Sequence, residues 1–489
     1  MIYAPKRQLD LLLRIGLLGL VVLGGCAGHV DRVRDIRFSF YEGDFSGARQ
    51  QVETHLEKGS RKEADVLQLD GAMIDLCSGD PRKAERRLLE VRDHFEDHEK
   101  KKLHQSALSM LTDDTAVSYP GEDYEKVMVR IFLALSDLMD DGDDAAAYAL
   151  QVVEKQDQIV RESFDENGES PKLDYKRVAF APYLRGAIRE ETHVDYDDAV
   201  RSYTQVVNWE PGFKQAKEDL HRAKFGHHSD AGHGVVYIFA LVGRGPYKEQ
   251  IHAEATQLSL LIADRILSAT NKHSLPPTVA PVPVPMVVRS PCRLRCLGVI
   301  VNGEPGGVTE TITHIGRMAV DQHQAIFPQI VARAIVRRVV KKGTIYGIKE
   351  AVQVENPYAN LALDVAGIVW EATERADTRC WGLLPDRIQV LRLELPEGTH
   401  RLGLQGLGQT GHPISDPYYQ EVRVFNGRNT YLLANFPDDR LVGRILTNEP
   451  TSKASRVVPA GFQGDPDSVT QMRFVVPSEE VRIETAQKE

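Results

Sequence analysis

Apolar residues follow two different rhythms along this chain. Through roughly the first 220 residues they recur at the three- and four-residue spacing of amphipathic helices, as in residues 64–77 and 124–139. After Ala223 the pattern becomes that of strands. Residues 235–242 form an unbroken apolar run of strand length. Residues 275–285 carry Pro at nearly every second position and predict an extended edge segment or linker, because Pro fits neither a helix interior nor a central strand. Three hairpins are predicted: 297–301 with 308–315 across Asn302-Gly303, 388–395 with 400–407 across 396–399, and 420–425 with 430–435 across Asn426-Gly427. Helices are predicted at 254–268, 325–342 and 360–375. The second is apolar on most sides outside a stripe of Gln329, Arg333 and Arg337, which predicts burial on the sheet. Residues 448–489 read as a polar, turn-rich and mobile tail. The expected fold class is α+β, with helices over 26–225 and a β-rich domain with a helical insert over 235–435.

The helical half repeats itself. Gly43-Asp44 with Ala48 recurs as Gly79-Asp80 with Ala84 and as Gly142-Asp143 with Ala147; Asp195 with Ala199 lacks only the Gly. Gly ends one helix at positive φ, Asp caps the next, and the small Ala lets helices approach closely. Tyr203, Val206 and Pro211 after Ala199 resemble the second helix of a tetratricopeptide repeat. The resemblance implies a stack of helix pairs with a concave groove for a protein or peptide. The second and third units are farther apart than one period, which places an insertion between them, with a break at Tyr119-Pro120-Gly121.

Lys6, Arg7 and Arg14 precede a short apolar run ending Leu23-Gly24-Gly25-Cys26. The run is shorter than the roughly 20 residues that span a bilayer, and reads as a secretory signal over residues 1–25. Leu-Gly-Gly-Cys looks like a bacterial lipobox, which implies acylation at Cys26 and cleavage before it. Ala27, in place of Asp, favours the periplasmic face of the outer membrane. Formal charge is -10, and removing residues 1–25 with their net +2 leaves -12, a surface poorly suited to nucleic acid.

Candidate chemistry is sparse. There is no Gly-x-Ser-x-Gly turn, phosphate loop or His-Glu-x-x-His, so a binding role is expected rather than catalysis, with no cofactor. His227, His228, Asp230 and His233 are the densest ligand-like cluster and the one opening for metal-dependent hydrolysis, although no helical His pair supports it. With Cys26 acylated, Cys77, Cys292, Cys296 and Cys380 remain; their pairing is open, and Cys292 with Cys296 reads as a structural bridge or two quiet thiols.

The segments 237–246 with Lys248 and 327–335, and above all Asp377-Thr-Arg379-Cys380-Trp381 with Leu384-Pro385 and Ile388-Gln389, resemble a family of bacterial lipoproteins that also carry tetratricopeptide-like N-terminal helices. No activity is assigned to that family. Its members often accompany small lipoproteins similar to activators of peptidoglycan synthases, which implies envelope or peptidoglycan maintenance. This chain departs in having Cys380 where Ser is usual. Asp377, Arg379 and Trp381 are the candidate contact patch for a partner or ligand, against a structural role as ion pair and core aromatic. The expected function is a membrane-anchored scaffold for an envelope protein partner, with an accessory subunit of an export assembly as the alternative.

Overall fold

The computed structural model describes residues 29–59, 61–104, 118–165, 167–270, 275, 279–351 and 375–448. The signal with Cys26, the helix predicted for 360–375 and the polar tail lie outside these residues, apart from Arg375 and Asn448.

The repeated Gly-Asp steps start helices. Helices α1 (His29–Tyr41), α2 (Phe45–Lys58), α3 (Ala64–Ser78), α4 (Pro81–His104), α5 (Asp123–Leu138), α6 (Ala145–Arg161), α7 (Phe180–Glu191), α8 (Tyr196–Trp209) and α9 (Gln215–Lys224) each pack on the next in the chain. Asp44 caps α2 by accepting from the Gly47 N–H at 2.9 Å, and Asp80 does the same for the Lys83 N–H at 3.2 Å. Gly43, Gly79 and Gly142 all have φ between 79° and 96°. The fourth unit, lacking Gly, takes its left-handed residue one position earlier, at His193 with φ 58°.

Burial separates these helices into two sets. In α3, residues 65–67 and 69–77 are buried, and in α5 every residue from Tyr124 to Leu138 is. In α2 only Ala48 and Val52 are buried, and in α8 only Ala199, Ser202, Tyr203 and Val206. Helices α3, α5 and α7 are therefore inner helices, closed in from both sides. What covers their second side is the C-terminal half of the same chain.

That half is a sandwich of two sheets. One has the order β11-β10-β1-β7-β6, with β1 (His233–Arg244), β6 (Glu310–His314), β7 (Pro385–Pro396), β10 (Asn429–Phe436) and β11 (Leu446–Thr447); the other has β5-β4-β8-β9, with β4 (Leu294–Val301), β5 (Glu304–Val308), β8 (Gly398–Gly408) and β9 (Tyr418–Val424). Strand β1 is buried on both faces, as its unbroken apolar run requires. Val236, Ile238, Ala240 and Val242 meet Leu297, Val299, Leu402 and Leu404 of the second sheet. Val235, Tyr237, Phe239 and Leu241 join the core of the helices. Phe180 of α7 lies edge-on to Phe239 at 5.2 Å, and Tyr183 to Tyr237 at 6.2 Å. The helical and β-rich halves thus share one continuous hydrophobic core.

Two predicted hairpins are instead corners of the sandwich. Strands β7 and β8 do not pair: β7 lies between β1 and β6, and β8 between β4 and β9. Likewise β9 and β10 belong to different sheets, and β10 runs parallel to β1, with Tyr431 opposite Tyr237. A turn dictates that the chain reverses, but not that the two arms bond to each other. The Asn302-Gly303 hairpin does form, with Asn302 at φ 53° and Gly303 at φ 97°, but its second arm is β5; residues 310–314 cross to the other sheet as β6. Thr309 makes the crossing, taking the Leu297 N–H at 2.9 Å and donating to Gln389 Oε1 at 2.6 Å.

A third, smaller core lies beneath β2 (Tyr247–Ala253), β3 (Val282–Val288), α10 (Gln257–Thr270) and α11 (Ile315–Ala351). Residues 282–285 of the Pro-rich segment enter β3 in a two-stranded ribbon, where both strands are edges and Pro283 and Pro285 face His252 and Gln250. The helix predicted from 325 begins ten residues earlier and carries Pro328 within it.

Candidate functional site

Residues 376–384 form no regular element, and their backbone polar groups find partners on the inner helices. Arg37 of α1 donates to the Cys380 carbonyl at 3.2 Å. The Leu383 N–H donates to Asp70 of α3 at 3.1 Å, and the Trp381 N–H to Glu125 of α5 at 2.8 Å. The Trp381 ring is wholly buried, 5.4 Å from that of Phe132. At Gly382 a Cβ would sit 1.9 Å from the Arg37 guanidinium carbon, so any side chain there would push that guanidinium aside.

Asp377 and Arg379 form a two-pronged ion pair, Nε to Oδ1 at 2.9 Å and Nη2 to Oδ2 at 2.7 Å. Arg379 also donates to the Lys62 carbonyl at 2.6 Å and lies 5.4 Å from the Tyr119 ring centre. Burial opposes ionisation of Asp377, but the Arg379 guanidinium holds its carboxyl below the usual range. Glu125, which also accepts from the Tyr119 and Tyr124 hydroxyls at 2.5 and 3.1 Å, is pushed up by burial, as is Asp70. The structure brings Asp377, Arg379 and Trp381 together, then, as a buried clasp between helices and sandwich. Trp381 has no surface left to offer a partner.

Beside the clasp, Lys248 of β2 pairs with Glu122, the N-cap of α5. Burial pulls Lys248 down, yet the surrounding Glu122, Asp377 and Glu125 carboxyls raise it overall. Glu122 opens onto a narrow cleft, with room for about one water, walled by Asp123, Tyr175 and, from α11, Gln322, His323 and Ile326.

The four metal candidates are not brought to one point. His228 is buried and faces Asn429 Oδ1 at 2.8 Å, whereas His227 pairs with Asp230 at 3.3 Å and His233 turns to the Ala231 carbonyl at 3.3 Å. Burial pushes the His228 imidazole down to about 4. Among the described residues, no group of three or more His, Cys, Asp or Glu side chains is placed to hold a metal ion. Cys77, Cys292, Cys296 and Cys380 are all free, so the bridge offered for Cys292 and Cys296 is absent: Cys292 Sγ turns to the Leu294 carbonyl at 3.3 Å. Burial pushes the Cys77 thiol up to about 12 and raises Cys380 as well, so both are poor nucleophiles. Cys26 lies outside the described residues.

No family model, curated protein or solved structure matches the chain.

The buried carboxylates Asp70 and Glu125, the half-buried Glu122 and its partner Lys248 escaped reading from the sequence as site residues. A signal existed: Asp70 stands among the apolar Val66, Leu67, Leu69, Met73 and Ile74, and a charge there must meet a partner.

Proposed function

We propose that this chain is a lipoprotein of the bacterial cell envelope, tethered through Cys26 at the periplasmic face of the outer membrane and acting as a scaffold for a partner protein. The observation that carries the reading is the basic start, short apolar run and Leu23-Gly24-Gly25-Cys26 at the amino terminus. The resemblance of the Asp377–Trp381 block to lipoproteins of the envelope supports the same compartment.

We read α1 to α9 as a tetratricopeptide-like solenoid turned on its own chain. Its inner helices are committed to the clasp and to β1, so the partner surface falls on the outer helices α2, α4, α6 and α8. Two measurements test this. Mass spectrometry and membrane fractionation should find the native chain acylated in the outer membrane and the Cys26→Ser chain unacylated. Equal, unacylated masses for both would overturn the anchor. Photo-crosslinkers at the exposed Arg86 of α4 and Glu154 of α6 should capture one recurrent envelope protein, and none when placed at the buried Phe132.

A further inference from the structure

Three large apolar side chains stand exposed around one junction of the fold. Val194 is 79% exposed, Phe225 73% and Phe425 38%. They come from the α7–α8 turn, the end of α9 and the β9–β10 turn, but their neighbours touch. The His193 ring meets the Gly427 carbonyl at 2.7 Å and lies 5.0 Å from the His228 ring. Val194 is one residue from this three-way contact, Phe425 two and Phe225 three. A Cβ at Gly226, next to Phe225, would lie 3.7 Å from the Tyr196 ring, itself two residues from Val194. None of the three apolar side chains joins a hydrophobic cluster of the described residues. Together they leave on the order of 300 Å² of apolar surface in water, the size of a working patch on a monomer. Single exposed apolar residues need no explanation, but three around one contact do.

The same junction lies beside the point where the chain leaves the sandwich. His228 Nε2 faces Asn429 Oδ1 at 2.8 Å, and Asn429 Nδ2 donates to the Tyr431 hydroxyl at 2.8 Å. Asn448 is held to Tyr431 in turn, its N–H donating to the Tyr431 carbonyl at 3.3 Å and its Oδ1 accepting the Tyr431 N–H at 3.1 Å. Residues 449–489 continue from there, and their densest apolar run is Met472-Arg473-Phe474-Val475-Val476. A flexible chain of the length of residues 449–471 spans roughly 25–30 Å, ample for the short way from Asn448 to the patch. Such a tether holds the run at about millimolar effective concentration, an advantage that a separate protein does not have. We propose that residues 472–476 dock on the Val194, Phe225 and Phe425 patch of their own chain. The inference is independent of where the protein is anchored.

The test uses the full chain with the photo-crosslinker benzoylphenylalanine in place of Phe225. Irradiation should join position 225 to residues 472–476 of the same molecule, identified by peptide mass spectrometry on the monomer band, with a yield independent of protein concentration. The same crosslinker at the exposed Arg86 of α4 should not capture that run. Phe474→Asp combined with Val476→Asp should leave the far-ultraviolet circular dichroism unchanged while lowering the yield by about tenfold, because a buried Phe is exchanged for a charge. Val194→Asp, at an exposed turn, should lower it as well. The proposal fails if position 225 crosslinks to a second molecule with a yield that rises with concentration, if it captures no residue of 472–476, or if the Phe474→Asp and Val476→Asp chain crosslinks like the native one.

Discussion

Trp381 carries more of the fold than any other single side chain of its segment. Its ring fills the space against Phe132 while its backbone N–H joins the Tyr119 and Tyr124 hydroxyls as a donor to the buried Glu125 carboxyl. Trp381→Ala should cost ~3–5 kcal/mol by the loss of a large buried aromatic, measured as a shift in urea midpoint at constant slope. Two buried titrating groups pull the pH dependence in opposite directions. Burial, with Glu85 nearby, pushes Asp137 up to about 7, so the folded state holds a proton that the unfolded chain releases, and this group's stabilisation fades as pH rises from about 4 to 7. Burial pushes His228 down to about 4, so the unfolded chain binds the extra proton and stability rises with pH between about 4 and 6.5. In the native protein the two slopes offset each other. Asp137→Asn should therefore make denaturation midpoints climb more steeply over that range, and His228→Gln should make them fall. At this scale the sequence made Trp381 and the Asp377–Arg379 pair legible as chemistry. The atoms they meet come from residues far away in the chain, as Glu125, Phe132 and Lys62 are, and no local pattern points to them.

Among elements, the left-handed glycines rank the joints by what surrounds them. Gly142 has φ 79° with open space where a Cβ would go, so Gly142→Ala should cost only the backbone strain, ~1 kcal/mol. At Gly443, with φ 99°, a Cβ would lie 2.3 Å from the Cys77 carbonyl oxygen, in the joint where the Arg444 N–H docks on the end of α3 at 2.9 Å. Gly443→Ala should cost at least ~2 kcal/mol, and thermal unfolding of the two variants side by side gives the ranking. Element boundaries in the helical half follow the Gly-Asp signals to within a residue, although of these Asp residues only Asp44 and Asp80 cap through their side chains. Helix α6 starts after Asp144 rather than Asp143, and neither Asp144 nor Asp195 makes a side-chain cap bond. The strands show the opposite case. Residues 388–395 and 400–407 are correctly strands, but whether a turn closes a hairpin or carries the chain to a facing sheet depends on which surface is left to cover.

On the scale of the molecule, the inner helices and the first sheet bury each other's apolar faces. Neither half presents a finished surface alone. The full chain should unfold in one cooperative transition by both near- and far-ultraviolet circular dichroism. Residues 29–225 expressed alone should bind a hydrophobic dye and melt without a sharp transition. Two separate transitions in the full chain would refute the shared core. The inner face of the N-terminal helices is taken by residues 381–390 and by β1.

Taken alone, the sequence determined the helices of the first half, the caps at Asp44 and Asp80, the doubly buried strand, the edge character of the Pro-rich segment and the strand-rich second half. All of these follow from interactions a few residues long. Tertiary structure decided the pairing of β1 with β10, the sandwich corners and the burial of the Asp377–Trp381 block. Each of these joins segments distant in the chain, and contacts of that kind are chosen by which surfaces remain uncovered once the local elements have formed.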